Sequence, residues 1–230
     1  MGLFIAFEGP DGSGKSTQIK LLRNYLEEKV QIPSKNLIMT REPGGTDLSE
    51  KIRIIILSTD YSNIMTNECE ALLYAAARAQ HVNELIKPAL LENKIVLCDR
   101  FVMSSYMYQG IGRKLGIKNI KLINDFATNN VTPDLTICIL VNYETMMKRK
   151  QNMMKENKNV KLDRLENEPS EFHNKVYDAY IKLAKKDKNI ILIDGNRSVS
   201  EIHREIRNIV LRKIVEIYKQ ENQKVLIKRR

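Results

Sequence analysis

The chain has 230 residues, 43% of them hydrophobic and 29% charged, with 38 Lys+Arg against 28 Asp+Glu and a net charge of +10. That length suits one α/β domain with a full core, and no apolar run nears the ~18 residues of a membrane span. The positive charge is spread along the chain without a DNA- or RNA-binding motif, so neither nucleic acid nor a membrane is an expected partner, whereas a polyanionic small ligand would gain from such a field.

Residues 3–7, LFIAF, read as a short buried strand. No secretory leader is expected, because the first apolar run is used up in this strand. Residues 17–29 follow with helical spacing at Ile19, Leu22 and Leu26. Between strand and helix lies Gly9-x-x-x-x-Gly14-Lys15-Ser16, the spacing of a phosphate-binding loop. Its glycines let backbone N–H groups turn inward, and the helix start adds partial positive charge. Lys15 would reach the β- and γ-phosphates of a nucleoside triphosphate, and the Ser16 hydroxyl would ligate Mg²⁺. A glycine turn closed by a helix cap is the plain alternative, but it needs neither the lysine nor the spacing.

Further strands are expected at 37–40, 94–98, 135–141 and 190–193, and helices at 48–57, 66–87, 118–128, 143–150, 170–186 and 199–219. Alternating strands and helices imply a parallel sheet covered on both faces, with ligands at the C-terminal strand ends. The chemistry-bearing segments TREPGGTD (40–47), CDRFVMSS (98–105) and DGNRS (194–198) all follow strands. One stretch, 148–164, is polar, basic and poor in β-branched residues, and reads either as a solvated helix end or as a mobile flap carrying charge over a phosphate site. The basic segment 213–230 is expected as an extension beyond a single domain of residues 1–212. Cys98 and Cys138 lie in strand-like runs and are expected as free thiols in a reducing cytoplasm. The three histidines have no ligand spacing.

Five segments together, FEGPDGSGKST (7–17), REPGGT (41–46) with Arg53 behind it, ALLYAAARAQHV (71–82), CDRFVMSSYMYQG (98–110) and LDRLE (162–166), resemble the bacterial type of thymidylate kinase. The resemblance spans roughly residues 3–212. It implies a three-layer P-loop NTPase fold with a five-stranded parallel sheet and a mobile lid, ATP as donor with Mg²⁺, dTMP as acceptor, and a homodimer. It also assigns residues. The ATP site comprises Gly9, Pro10, Asp11, Gly12, Ser13, Gly14, Lys15, Ser16 and Thr17, with Arg197 at the adenine border. The dTMP site takes Asp11 at the deoxyribose, Arg53 at the base, a stacking Tyr74, Arg78, the phosphate clamp Arg100, and Ser105 with Gln109. Asp99 joins Ser16 near the metal, unless Asp99 and Arg100 form only a surface ion pair. The loop itself holds no arginine, so Lys15, Asp11 and Arg100 are joined as catalytic candidates by a lid arginine, Arg149 first; Arg164 could instead contact ATP or brace the lid. Glu166 and Tyr177 would face the acceptor when the lid closes, and Glu8 is expected to be structural. Pro43 is expected to be cis. Kinases for other small acceptors, a noncatalytic nucleotide switch and a nucleic-acid-binding ATPase are the competing readings.

Overall fold

The computed structural model describes residues 2–156, 163–185 and 187–228. Among them, β1 (Leu3–Glu8) leads through the glycine loop into α1 (Lys15–Glu28), followed by β2 (Leu37–Arg41) and α2 (Asp47–Leu57). α3 (Asn67–His81) runs through a π-helical turn, Val82–Ile86, into α4 (Lys87–Leu91). β3 (Ile95–Asp99), the short α5 (Val102–Ser105) with a second π-helical stretch Tyr106–Gly112, and α6 (Ile117–Thr128) come next. β4 (Leu135–Leu140), α7 (Tyr143–Glu156), α8 (Ser170–Ala184), β5 (Ile190–Asp194) and α9 (Val199–Lys228) complete the described chain. The five strands form one all-parallel sheet in the order β2-β3-β1-β4-β5.

The two-residue period of a strand sorts the core. Leu3, Ile5 and Phe7 of β1 face Ile19, Leu22 and Leu26 of α1 together with Ile202, Ile206 and Val210 of α9. The alternate residues Phe4 and Ala6 face Val82, Ile86 and Phe101. On β4, Cys138 and Leu140 turn toward Phe172, Val176 and Tyr180 of α8. Every residue of β1 and β4 is buried, as both-face coverage of a parallel sheet requires.

The expected strands all form, with ends shifted by one residue or less. Three expectations change. The helix expected at 66–87 continues to Leu91 through the π turn. The domain edge at 212 falls inside α9, and Ile217 beyond it is buried in the same core as Ile206 and Val210. The expected basic flap is not a separate loop at its start, because residues 148–156 continue α7; its 157–162 portion lies outside the described residues. The peptide bond Glu42–Pro43 is cis, as expected.

Candidate active site

The glycine loop is shaped by close approach. Gly9 has φ 126°, and a Cβ there would sit 2.0 Å from the carbonyl oxygen of Ile139 on the neighbouring strand, so only glycine lets β1 turn beside β4. Gly14, at φ 97°, opens α1 with no side-chain cap, and the first turn carries no acidic residue. The free N–H groups and the dipole therefore point at whatever anion enters the loop. Lys15 is 5% exposed and folds back to donate to the carbonyls of Gly9 (3.0 Å) and Pro10 (2.9 Å). Burial and the nearby Arg100 charge press its pKa down, so an incoming phosphate would relieve an ammonium that now has only carbonyl partners.

Ser16 Oγ donates to Asp99 Oδ2 at 2.6 Å, joining the start of α1 to the end of β3. This pair of hard oxygens fits Mg²⁺, which is commonly held by one or two protein oxygens and completed by waters and phosphates. Among the described residues no cluster of three or more His, Cys, Asp or Glu forms an all-protein cage. The sequence-expected Asp99 and Ser16 thus meet in one place.

Arg100 follows β3 with φ 71°, an uncommon conformation for a residue with a Cβ. Its N–H donates to Phe7 O (2.8 Å), which holds this bend. The guanidinium then points at the loop. Nη2 meets Asp11 Oδ1 at 2.7 Å, Nη1 donates to Ser104 Oγ at 3.0 Å, and the group lies 5.3 Å from the Tyr108 ring centre. Burial alone would raise the Asp11 pKa, but Arg100, Lys15 and Lys150 hold it well below the carboxylate range. Burial likewise works against the Arg100 charge, and Asp11 outweighs it, keeping the guanidinium firmly protonated.

Two clefts meet at this pair. The larger, about 590 Å³, is bounded by the glycine loop from Asp11 onward, Asp99, Arg149, Lys150 and Arg197. The smaller is lined by Leu57, Tyr74, Tyr108, Gln109, Asp163 and Leu165. Asp11, Glu42, Arg53 and Arg100 line both. One cleft is cationic and open to a polyphosphate; the other has aromatic walls suited to a flat base.

Arg149 stands over the larger cleft, donating to the carbonyls of Gly12 (3.0 Å) and Gly195 (2.8 Å). Arg197 is at the cleft's edge, where Nε donates to Asp194 O and Nη2 pairs with Glu205. Arg53 Nη1 donates to Pro43 O at 2.8 Å. Burial first, then the charges of Glu70 and Asp163, pushes the Tyr74 hydroxyl well above its ordinary pKa, so the ring stands neutral.

Two expected acceptor residues lie elsewhere. Arg78 is 2% exposed and outside both cleft linings; it donates to Glu42 Oε2 (2.6 Å), Ser105 Oγ (3.0 Å), Phe101 O and Asn124. Ser105 is thereby occupied behind the cleft, and its neighbour Ser104 reaches Arg100 instead. Arg164, one of the two lid arginines, is buried and bound to Glu70 Oε2 (2.7 Å) and to Ile56 O (3.1 Å), which fits the bracing alternative and not a contact with ATP. Glu166 lines the larger cleft and forms an ion pair with Lys150 (2.6 Å), whereas Tyr177, on α8, is half-buried and packs against the core outside both clefts.

Sequence reasoning left Glu8 without a specific task. It is fully buried at the end of β1 and accepts from Phe101 N (2.8 Å), Ser104 N (3.1 Å), Ser104 Oγ (2.5 Å) and Tyr180 OH (3.2 Å). It therefore caps α5 and fixes the turn carrying Arg100. A carboxylate ending an otherwise apolar strand was the available signal. Lys150 was also missed as an individual residue, since it is one lysine among several in a basic stretch.

A central parallel strand feeding a glycine loop, a lysine and a hydroxyl–carboxylate pair at the sheet edge defines a P-loop nucleotide-binding α/β protein. The second, aromatic cleft beside the loop narrows this to the arrangement of a phosphotransferase with a separate acceptor site. The family model for thymidylate kinase matches residues 7–206. A thymidylate kinase of Finegoldia magna is 49% identical over 214 residues, covering 93% of this chain and all of that protein. One of Fervidobacterium nodosum is 48% identical over 204 residues, covering 89% and 96%. The crystal structure of thymidylate kinase from Ehrlichia chaffeensis superposes with a TM-score of 0.72 at 32% identity, covering 91% of this chain and 98% of that one. The chain belongs to the thymidylate kinase family.

Proposed function

We propose that this chain transfers the γ-phosphoryl group of ATP to dTMP, giving ADP and dTDP. The observation that carries the reading is the shared wall: Asp11 and Arg100 line both the phosphate-loop cleft and the aromatic cleft. A clamp at that junction can hold the acceptor phosphate in line with the donor's terminal phosphate. Phosphoryl transfer asks chiefly for such positioning and for charge neutralisation.

In this reading the amides of residues 9–17 and Lys15 take the triphosphate, and Arg197 borders the adenine. Ser16 and Asp99 hold Mg²⁺, which when bound would neutralise charge on the β- and γ-phosphate oxygens. Arg100 grips the acceptor phosphate with its planar fork. That phosphate is already an oxyanion near neutral pH, since its second pKa is about 6, so no general base is required. Asp11 anchors Arg100 and faces the deoxyribose. Tyr74 stacks on the base, Gln109 reads its edge, and Arg53 spans base and phosphate. Arg78 and Ser105 support the pocket from behind through Glu42. Arg149 exchanges its two carbonyl partners for the transferring phosphoryl as the lid segment closes.

The exposed apolar residues Leu48 and Ile55 of α2, Leu72 of α3, and Leu122 and Phe126 of α6 lie on helices packed side by side; their exposure supports a homodimer through these helices. The free thiols Cys98 and Cys138 fit a reducing cytoplasm. Among the described residues no helix is long and apolar enough to cross a membrane.

The test is coupled ADP release with ATP and Mg²⁺, offering dTMP, dUMP, dCMP, dGMP and thymidine separately. Turnover is expected on dTMP, lost with a chelator, and negligible on thymidine, which has no phosphate for Arg100. ADP release independent of any acceptor would overturn the reading.

A further inference from the structure

Glu70 lies in the first turn of α3 and is 1% exposed. Its carboxylate gathers three side chains from three parts of the chain. Gln109 Nε2 donates to Oε1 at 2.8 Å, Arg113 Nη2 lies 3.1 Å from Oε2, and Arg164 Nη1 donates to Oε2 at 2.7 Å. Arg113 continues to Glu168 at 2.6 Å, so the cluster of two guanidiniums and two carboxylates is balanced in charge. Arg164 also bonds Ile56 O through Nε, and its own N–H donates to Leu57 O. Leu57, Tyr74 and Gln109 all line the aromatic cleft.

Gln109 is 1% exposed, so its amide has few ways to stand. A carboxamide has one donor edge and one acceptor edge, and the neighbour decides which faces which way. Glu70 already receives two guanidiniums and acts as an acceptor. The amide therefore turns its NH₂ to Glu70, and among the described residues no donor pairs with Gln109 Oε1. We infer that Glu70 is a specificity-determining positioning residue: by locking the Gln109 amide it leaves a carbonyl as the base-reading group, so the cleft accepts an imide N–H and disfavours a base with a bare ring nitrogen there. The inference rests on the proposed dTMP reading and deepens it. Thymine and uracil carry the imide N3–H, while cytosine presents an unprotonated N3 flanked by an amino group. A site that hydrogen-bonds a donor rejects the analogue lacking it strongly, because its buried carbonyl is left unpaired.

Glu70→Gln tests this. A neutral amide there can donate as well as accept, so Gln109 is free to flip and to offer NH₂ to cytosine N3. The expected result is a fall of at least tenfold in the dTMP/dCMP ratio of kcat/KM, with the dTMP/dUMP ratio unchanged and the KM for ATP within about threefold. A purely structural role would lower all three acceptors alike. An unchanged dTMP/dCMP ratio in the folded variant overturns the inference while leaving the dTMP reading intact; failure of the wild-type protein to use dTMP overturns both. The unmodified protein supplies a second readout should the variant not fold. With ¹⁵N-labelled glutamine, the Gln109 carboxamide protons should exchange at least tenfold more slowly than those of free glutamine before any nucleotide is added. Exchange at the free rate overturns the lock.

Discussion

Arg100→Lys isolates the geometry of the proposed clamp from its charge. Lysine keeps the cation beside Asp11 and can adopt the same φ of 71°, held by the backbone bond to Phe7, so the strained bend is common to both proteins. What disappears is the planar fork, including the bond to Ser104 Oγ at 3.0 Å and the stacking 5.3 Å from Tyr108. A charge-assisted hydrogen bond contributes ~1.5–3 kcal/mol, and each ~1.4 kcal/mol is tenfold in rate. Loss of one such bond to the acceptor phosphate in the transition state therefore lowers kcat/KM for dTMP by about 10- to 160-fold. Folding should suffer far less: ~1 kcal/mol from the lost Ser104 and Tyr108 contacts lowers Tm by about 2–4 °C in a protein of this size. The assay is steady-state ADP release at varied dTMP, with ATP varied separately and Tm measured alongside. A kcat/KM for dTMP within twofold of wild type refutes the clamp. A loss seen only in the KM for ATP moves Arg100 to the donor side.

Gly9→Ala places a Cβ 2.0 Å from Ile139 O at φ 126°; overpacking and backbone strain together cost about 2–6 kcal/mol, and a urea-unfolding loss under 1 kcal/mol would contradict the close approach. Asp11 has a folded pKa held below its unfolded value, first against burial and then by Arg100, Lys15 and Lys150. Its contribution is present above the ordinary carboxylate range of about pH 4 and is lost as pH falls through the folded value, so the Tm gap between wild type and Asp11→Asn should be widest near neutrality and close below pH 4; a constant gap refutes the assignment. Arg149→Ala should reduce kcat by ~10³ or more, the scale of a transition-state arginine in related transfers, while leaving the KM for dTMP within a few-fold; stopped single-turnover measurements distinguish this from slowed product release. Phe126, 91% exposed on α6, should become a monomer-forming position as Phe126→Asp, read by light scattering; an unchanged oligomeric mass would move any dimer interface off this face.

The phosphate loop was legible because its requirements are local: glycines where φ is positive, then a lysine and a hydroxyl at a helix start. Arg100 was legible because it ends a buried strand, where an unpaired charge has few structural uses. What stayed hidden depends on distance in sequence or on a single residue of register. Glu8 caps a turn more than ninety positions away and meets Tyr180 at a separation of 172, and periodicity carries no trace of such a partner. Ser104 and Ser105 are adjacent and chemically identical, but the start of α5 at Val102 turns one toward Arg100 and the other toward Arg78. Arg78 itself lies on the same helix as Tyr74, and its inward turn is explained by buried partners distant in sequence, Glu42, Ser105, Asn124 and Phe101 O. A helix over 199–219 was legible, but not that its core contacts continue past residue 212: the lysine-rich sequence there looks solvated, although Ile214 and Ile217 continue the core-facing stripe of Ile206 and Val210.

The strand order divides the work. β1 is central, with β3 and β2 on one side and β4 and β5 on the other. Residues following β2 and β3, namely Arg53, Tyr74, Arg100 and Gln109, line the aromatic cleft. Of the residues following β4 and β5, Arg149, Lys150, Gly195 and Arg197 line only the larger one, whereas Asp163 and Leu165 reach across to the aromatic cleft. A parallel sheet delivers every strand's C-terminal end to one edge, so two anionic substrates can approach from opposite flanks and meet over the loop of the middle strand. Asp11 and Arg100 stand at that meeting point, paired at 2.7 Å, with the Lys15 charge also acting on Asp11 from the loop. On this geometry, substitutions of Tyr74 and Gln109 should register in acceptor kinetics, those of Arg149 and Arg197 in ATP kinetics, and those of Asp11 and Arg100 in both. The cleft that a residue lines, more than the strand it follows, is thus a physical basis for assigning its substrate before its kinetics are measured, with Arg53 and Glu42 facing both clefts.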